Sequence, residues 1–136
     1  MTTNRAQRLL QLLELKQIEE NLFLGENEPE NGARIFGGQV LAQANMAAYR
    51  TVTDLDVHSM HAYFLRPGDS SKGVLYEVER IRDGRSFTTR RVVAIQSGQA
   101  IFNMDVSFQG VEPGLDHSLP MPNVPLPTEL QEDRAV

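Results

Sequence analysis

Apolar and polar positions follow two different periods along this chain. In RAQRLLQLLEL, residues 5–15, Leu9, Leu12 and Leu13 fall at helical spacing, with Leu10 beside them and Arg5, Arg8 and Glu14 outward. That spacing predicts a short amphipathic helix. In the stretch IEENLFLGEN, Ile18, Leu22 and Leu24 are apolar, which predicts a short strand around 21–26. ENEPENGAR, 26–34, is a polar loop rich in turn residues. The next run, IFGGQVLAQANMAAYR, has Arg50 as its only charge and predicts a helix over 37–49 that is apolar nearly all round.

Four strand-like runs follow: VHSMHAYFLR (57–66), GVLYEVERIR (73–82), FTTRRVVAIQ (87–96) and QAIFNMDVSFQ (99–109). The last has the clearest period of two, with Ala100, Phe102, Met104, Val106 and Phe108 on one face. Pro67-Gly68-Asp69, the DGRS turn at 83–86 and Ser97-Gly98 separate the runs, and short turns imply antiparallel neighbours. Such a sheet has one apolar face to cover, and the 38–50 helix is the element that can cover it. The expected fold is therefore α+β, a curved antiparallel sheet wrapped around a long central helix. From about Glu112 the character changes, because five of the seven prolines lie at 113, 120, 122, 125 and 127. That stretch reads as an extended linker. The expected organisation is an N-terminal helix at 1–16, a sheet-and-helix domain at 17–111 and a proline-rich linker at 112–136.

Composition narrows the function. With 136 residues the chain suits one domain, and with no cysteine it has no disulfide, thiolate metal site or cysteine nucleophile. A net charge of −5 weighs against nucleic acid as a partner. The longest apolar runs fall short of a membrane span. The N-terminus lacks a signal-peptide pattern, so a cytoplasmic protein is expected.

The motifs NLFLGEN, IFGGQVLAQA, VHSMHAYFLRPGD, VERIRDGRSFTTRRVVAIQSGQAIFNMDVSFQ and MPNVPLP, in that order over about 17–127, resemble the N-terminal half of the type II acyl-CoA thioesterases. The resemblance implies a hotdog fold, and a second hotdog joined through the proline-rich linker. It implies hydrolysis of fatty acyl-CoA to free acid and CoA, and no metal or redox cofactor. It also implies that the catalytic set, an Asp, a Thr or Ser, and a Gln, lies in the second hotdog, into which these residues do not extend. Consistent with that, Gln39–Arg50 contains no Asp or Glu.

Several residues are candidate sites. Gly37, Gly38 and Gln39 open the helix. Backbone N–H groups there can hold a thioester carbonyl or a phosphate, or the glycines simply allow a tight entry. Gln39 can bond an acyl group or cap its own helix. His58 and His61 lie three apart on a strand and so point to opposite faces. His58, with Met60, Ala62 and Phe64, is read as facing the helix, either as a general base or as a core histidine. His117 has no evident partner. Arg80, Arg82, Arg85, Arg90 and Arg91 cluster at a hairpin, with Arg85 and Arg90 the phosphate candidates against a solvated sheet face. Asp69 reads as a turn residue, and Asp105 as a lone carboxylate.

The reading is an acyl-CoA thioesterase module, with this half non-catalytic by itself. The alternative is a free-standing hotdog acting as a structural or acyl-binding module. Either way the half-fold is expected to self-associate, most simply as a two-fold homodimer.

Overall fold

A computed structural model describes residues 4–27 and 33–130. Residues 28–32 of the expected polar loop and the last six residues of the expected linker lie outside that range. The elements are α1 (Arg5–Leu13), β1 (Lys16–Glu19), β2 (Leu22–Gly25), α2 (Gly37–Tyr49), β3 (Asp56–Phe64), β4 (Val74–Asp83), β5 (Phe87–Gln96) and β6 (Gln99–Gln109), with one 3-10 turn at Pro127–Glu129. The strands form one sheet in the order β1-β2-β4-β5-β6-β3, and every pair is antiparallel. This is the α+β arrangement that the periodicity predicts and the hotdog that the family resemblance implies.

Local chemistry explains the elements. Asn4 caps α1, accepting from the Ala6 N–H, while the Gln7 side chain accepts from Asn4 N. Ser97 and Gly98 both have positive φ (50° and 75°), so the β5–β6 connection is a two-residue hairpin of the primed kind. On β6 the alternation holds: Phe102, Met104, Val106 and Phe108 are buried. Ile101 is buried as well, because the register shifts there, with Ala94 opposite Phe102 but Ile95 opposite Ala100. A bulge lets one strand place two consecutive residues inward.

α2 lies over β4, β5, β6 and β2, and buries Val40, Gln43, Ala44, Ala47 and Ala48. The core gathers Phe23, Val74, Tyr76, Val92, Phe102 and Phe108 beneath it. Tyr49 reaches the far side, with its ring edge-on to Phe108 at 5.1 Å and its hydroxyl accepting from Val57 N at 3.0 Å.

Three features differ from the sequence reading. β1 is an added edge strand, paired with β2 across Glu20-Asn21. α2 is not enclosed all round, since Leu41, Ala42, Asn45 and Met46 are half-buried. The inner face of β3 is accordingly open, with Met60 40% and Phe64 60% exposed. Residues 111–126 form no regular element and are exposed.

Candidate functional site

The sheet and α2 meet at a cavity beside the first turn of α2. Phe36 is the N-cap and makes no side-chain capping bond. Two aromatic rings pack on the glycine pair. A Cβ on Gly37 would lie 2.9 Å from the Phe64 ring, and one on Gly38 would lie 2.5 Å from the Phe36 ring. The glycines thus provide close approach. The cavity next to them has a volume of about 320 Å³, and its lining includes Arg34, Gly37, Val40, Phe64, Arg66 and Phe102. Backbone bonds fix its walls. Arg34 bridges to Asp69, Ile35 N donates to Gly68 O at 3.0 Å, and Leu65 N and Arg66 N both donate to Ile101 O. Arg66 Nη1 donates to Ala100 O at 2.6 Å.

Gln39 neither caps its helix nor points into this cavity. Its Nε2 donates to Asn27 Oδ1 at 2.7 Å and to Glu26 O at 3.4 Å, tying α2 to the chain after β2. One turn on, Gln43 is fully buried. It donates to Leu12 O (2.7 Å) and Glu26 O (3.0 Å), and accepts from the Tyr76 hydroxyl (2.7 Å). Burial pushes the Tyr76 phenol well above its ordinary range. One buried amide therefore joins α1, the end of β2, α2 and β4.

The two arginine candidates separate completely. Arg85 is exposed in the β4–β5 turn. Arg90 is 1% exposed, and the expectation that it grips a phosphate is corrected. Its Nε donates to Thr51 Oγ1 (2.8 Å), its Nη2 to Thr51 O (3.1 Å) and to Asp83 Oδ1, and its Nη1 to Arg82 O and Thr89 O. It neutralises the negative end of α2 and has no donor to spare. Arg80 Nη1 also reaches Thr51 O, at 3.4 Å.

His58 does not face the helix, which corrects its expected placement. The register shifts between Val57 and Ser59, so His58 sits in a bulge and turns to the outer face. There its Nε2 lies 2.8 Å from Ser107 Oγ and its ring 5.5 Å from that of Phe87. His61 lies against Tyr63, with ring centroids 4.7 Å apart. Asp105 is paired with Arg91 at 3.0 Å. Bonds from Ser71 hold the Asp69 carboxyl below the usual carboxylate range, and His117 is exposed in the irregular segment after β6. Among the described residues, no group of three His, Asp or Glu is placed to hold a metal. Arg34 and Arg66 escaped the sequence reading. Their signal was position, since each flanks a loop that closes on the other through the 34–69 bridge.

Comparison with known proteins places this geometry. The family described as acyl-CoA thioesterase N-terminal domain matches residues 27–109. Acyl-coenzyme A thioesterase 8 of Mus musculus is 44% identical over 128 residues, covering 92% of this chain and 40% of that protein. Acyl-CoA thioesterase 2 of Haemophilus influenzae is 41% identical, covering 94% of this chain and 45% of that protein. The crystal structure of an acyl-CoA thioesterase II from Mycobacterium marinum superposes with a TM-score of 0.78 at 43% identity, over 88% of this chain and 45% of that one. The chain spans less than half the length of these relatives. A match over 27–109 takes in α2 and every strand from β3 to β6, and on that ground the chain belongs to the acyl-CoA thioesterase N-terminal domain family.

Proposed function

We propose that this chain is the N-terminal module of an acyl-CoA thioesterase, and that hydrolysis needs a second hotdog. In the reaction, water adds to the thioester carbonyl carbon, the C–S bond breaks, and the CoA sulfur leaves to take a proton. A carboxylate is needed to accept the water's proton. The observation that carries the reading is the lining of the cavity at the start of α2, which contains no Asp or Glu among the described residues, while the chain covers only 40–45% of relatives named as thioesterases. The module's part is to complete the fold and bound the acyl groove. Gly37 and Gly38 contribute backbone N–H groups and closeness to the acyl part. Gln39 holds the loop that borders them, and the exposed Arg85 remains available to a phosphate of CoA.

The open inner face of β3 supports the partner half of the proposal. Met60 and Phe64 are exposed there on an edge strand, and exposed apolar edges seek pairing. The partner is a second hotdog or another copy of this chain. We place the protein in the cytoplasm, which fits a cysteine-free chain and a structure in which no described helix is long and apolar enough to cross a membrane. No cofactor enters the chemistry.

The test compares lauroyl-CoA turnover, followed by thiol release, for this chain and for a version extended into a second hotdog. Turnover is expected only in the extended form. Equal rates would overturn the assignment of the chemistry to the other half.

A further inference from the structure

Asp83-Gly84, where β4 turns toward β5, is the one Asp-Gly step in the chain. Glycine sets no side chain beside its own nitrogen, so that nitrogen can attack the carboxyl of the residue before it. A bond forms from Gly84 N to Asp83 Cγ, water leaves, and a five-membered imide closes. Water then adds back at either carbonyl. One opening restores aspartate, and the other gives isoaspartate, whose backbone runs through the former side chain. Water is the only co-reactant.

The folded turn opposes each part of this step. Asp83 ends β4 and pairs with Thr88 of β5, so its backbone is extended, and closing the ring requires it to leave that conformation. The attacking atom, Gly84 N, donates to Phe87 O at 3.0 Å. The carboxylate is bound to Arg90 Nη2, and Arg90 is fixed from the core side by Thr51. Yet the Asp83 side chain is 61% exposed, and a hairpin end is where local opening costs least. We infer that Asp83-Gly84 is a covalent modification site gated by opening of the β4–β5 turn. The closed turn keeps aspartate, and each opening exposes it to isomerisation. An isoaspartate has a backbone longer by one carbon and a carboxylate on a shorter stem, so residue 83 then loses its register with Thr88 and its bond to Arg90. The modification unfastens, from the solvent side, the arginine that holds Thr51 at the end of α2. The inference rests on this turn alone and is independent of the thioesterase reading.

The test incubates the folded chain, and the chain unfolded in urea, at neutral pH. Peptide mapping locates isoaspartate and separates residue 83 from Asn31-Gly32, a step that closes the same ring with loss of ammonia. Isoaspartate at residue 83 is expected to accumulate at least about 10-fold more slowly in the folded chain. Urea too dilute for global unfolding is expected to speed it, in step with hydrogen exchange at Gly84 N. Arg90→Met, where circular dichroism shows it folded, is expected to isomerise several-fold faster than the unaltered chain. If that variant unfolds, the dilute-urea series decides the matter. Absence of isoaspartate at residue 83 in the unfolded chain would overturn the site. Equal rates in folded and unfolded chains, or a rate that dilute urea leaves unchanged, would overturn the gate. The chain isolated with isoaspartate at residue 83 is expected to have a lower urea midpoint, and an unchanged midpoint, or a folded Arg90→Met that isomerises no faster, would overturn the link to Arg90.

Discussion

Arg90 and Thr51 form the joint between the sheet and the C-terminal end of the central helix. The guanidinium donates to both the Thr51 hydroxyl and the Thr51 carbonyl, and the same hydroxyl donates back to Ala48 O at 2.8 Å. The last-turn carbonyls of Met46, Ala48 and Tyr49 accept from the N–H groups of Arg50, Thr51 and Val52, and the strand residue Arg90 satisfies the Thr51 carbonyl just beyond them. Arg90→Met removes the charge, takes the Arg90 bond from Arg82 O, Thr89 O and Asp83, and leaves Thr51 O only the longer bond from Arg80. Leaving buried acceptors without this donor is expected to cost about 1–3 kcal/mol, read as a lower urea midpoint. Arg85→Ala, on the exposed turn of the same hairpin, is expected to stay within about 0.5 kcal/mol of the unaltered chain. Equal losses for the two would show that Arg90 is not the joint.

The Tyr76–Gln43 bond gives stability an alkaline limit. The phenol is buried with a pKa raised above its ordinary 10.0, so the folded state keeps a proton that the unfolded state releases. Between the unfolded and folded pKa values the unfolded chain binds fewer protons, and stability must fall as pH rises. Below about pH 10 the contribution is complete. Above it, the loss is expected to approach 1.4 kcal/mol per pH unit. Tyr76→Phe is expected to cost about 1–3 kcal/mol at neutral pH, because Gln43 Oε1 loses its donor. The gap between the two chains then narrows from pH 10 upward, in urea titrations at stepped pH. A gap that stays constant across that range would count against the buried phenol.

Two glycines with similar crowding are expected to respond oppositely to alanine. A Cβ on Gly25 would lie 2.7 Å from Gln43 Oε1 and 2.9 Å from the Tyr76 ring, both locked in the buried network. Gly25→Ala is expected to destabilise by about 1–3 kcal/mol, the range for overpacking. On Gly38 the crowding atoms belong to the Phe36 ring, which is 77% exposed and free to swing aside. Gly38→Ala is expected to be neutral, or stabilising by up to about 1 kcal/mol, because alanine favours the helix over glycine. The thermal midpoint should fall for Gly25→Ala and hold or rise for Gly38→Ala, and a large loss at Gly38 would mean that Phe36 is held in place.

The periods of the chain carried most of the fold. Helical spacing marked α1 and α2, and alternation marked β4, β5 and β6, because each of those strands has one face on a single core. Arg90 was legible by the same rule, since it shares parity with the buried Val92 and Ala94 while Arg91 shares that of Val93. Charge concealed it, because a buried arginine needs partners such as Thr51 and Asp83 that only the folded chain brings together. At His58 parity misled, because one inserted residue reverses every side chain before it. β1 lay beyond pattern reading for another reason: its four residues are all exposed, so no core face imposes a period. The cavity arginines are single residues on two loops 32 positions apart, and short-range spacing cannot join them.

The uncovered face of β3 predicts the state of the chain in solution. α2 leaves Met60, Ala62 and Phe64 only partly buried, and Phe64 leans on Phe102 with ring centroids 5.1 Å apart. The outer neighbours of β3 add Tyr63, 60% exposed. An edge strand with free backbone donors and an apolar inner face favours pairing with another edge. The chain is therefore expected to run as a dimer at micromolar concentration, and Met60→Lys to shift it toward monomer by placing a charge in the joint. Met60 is already 40% exposed, so the substitution is expected to leave the fold of each copy intact, with a urea midpoint within about 1 kcal/mol once subunit concentration is held fixed. Light scattering coupled to size exclusion separates the outcomes. A monomer for the unaltered chain, or a dimer that Met60→Lys leaves untouched, would place the contact elsewhere than β3.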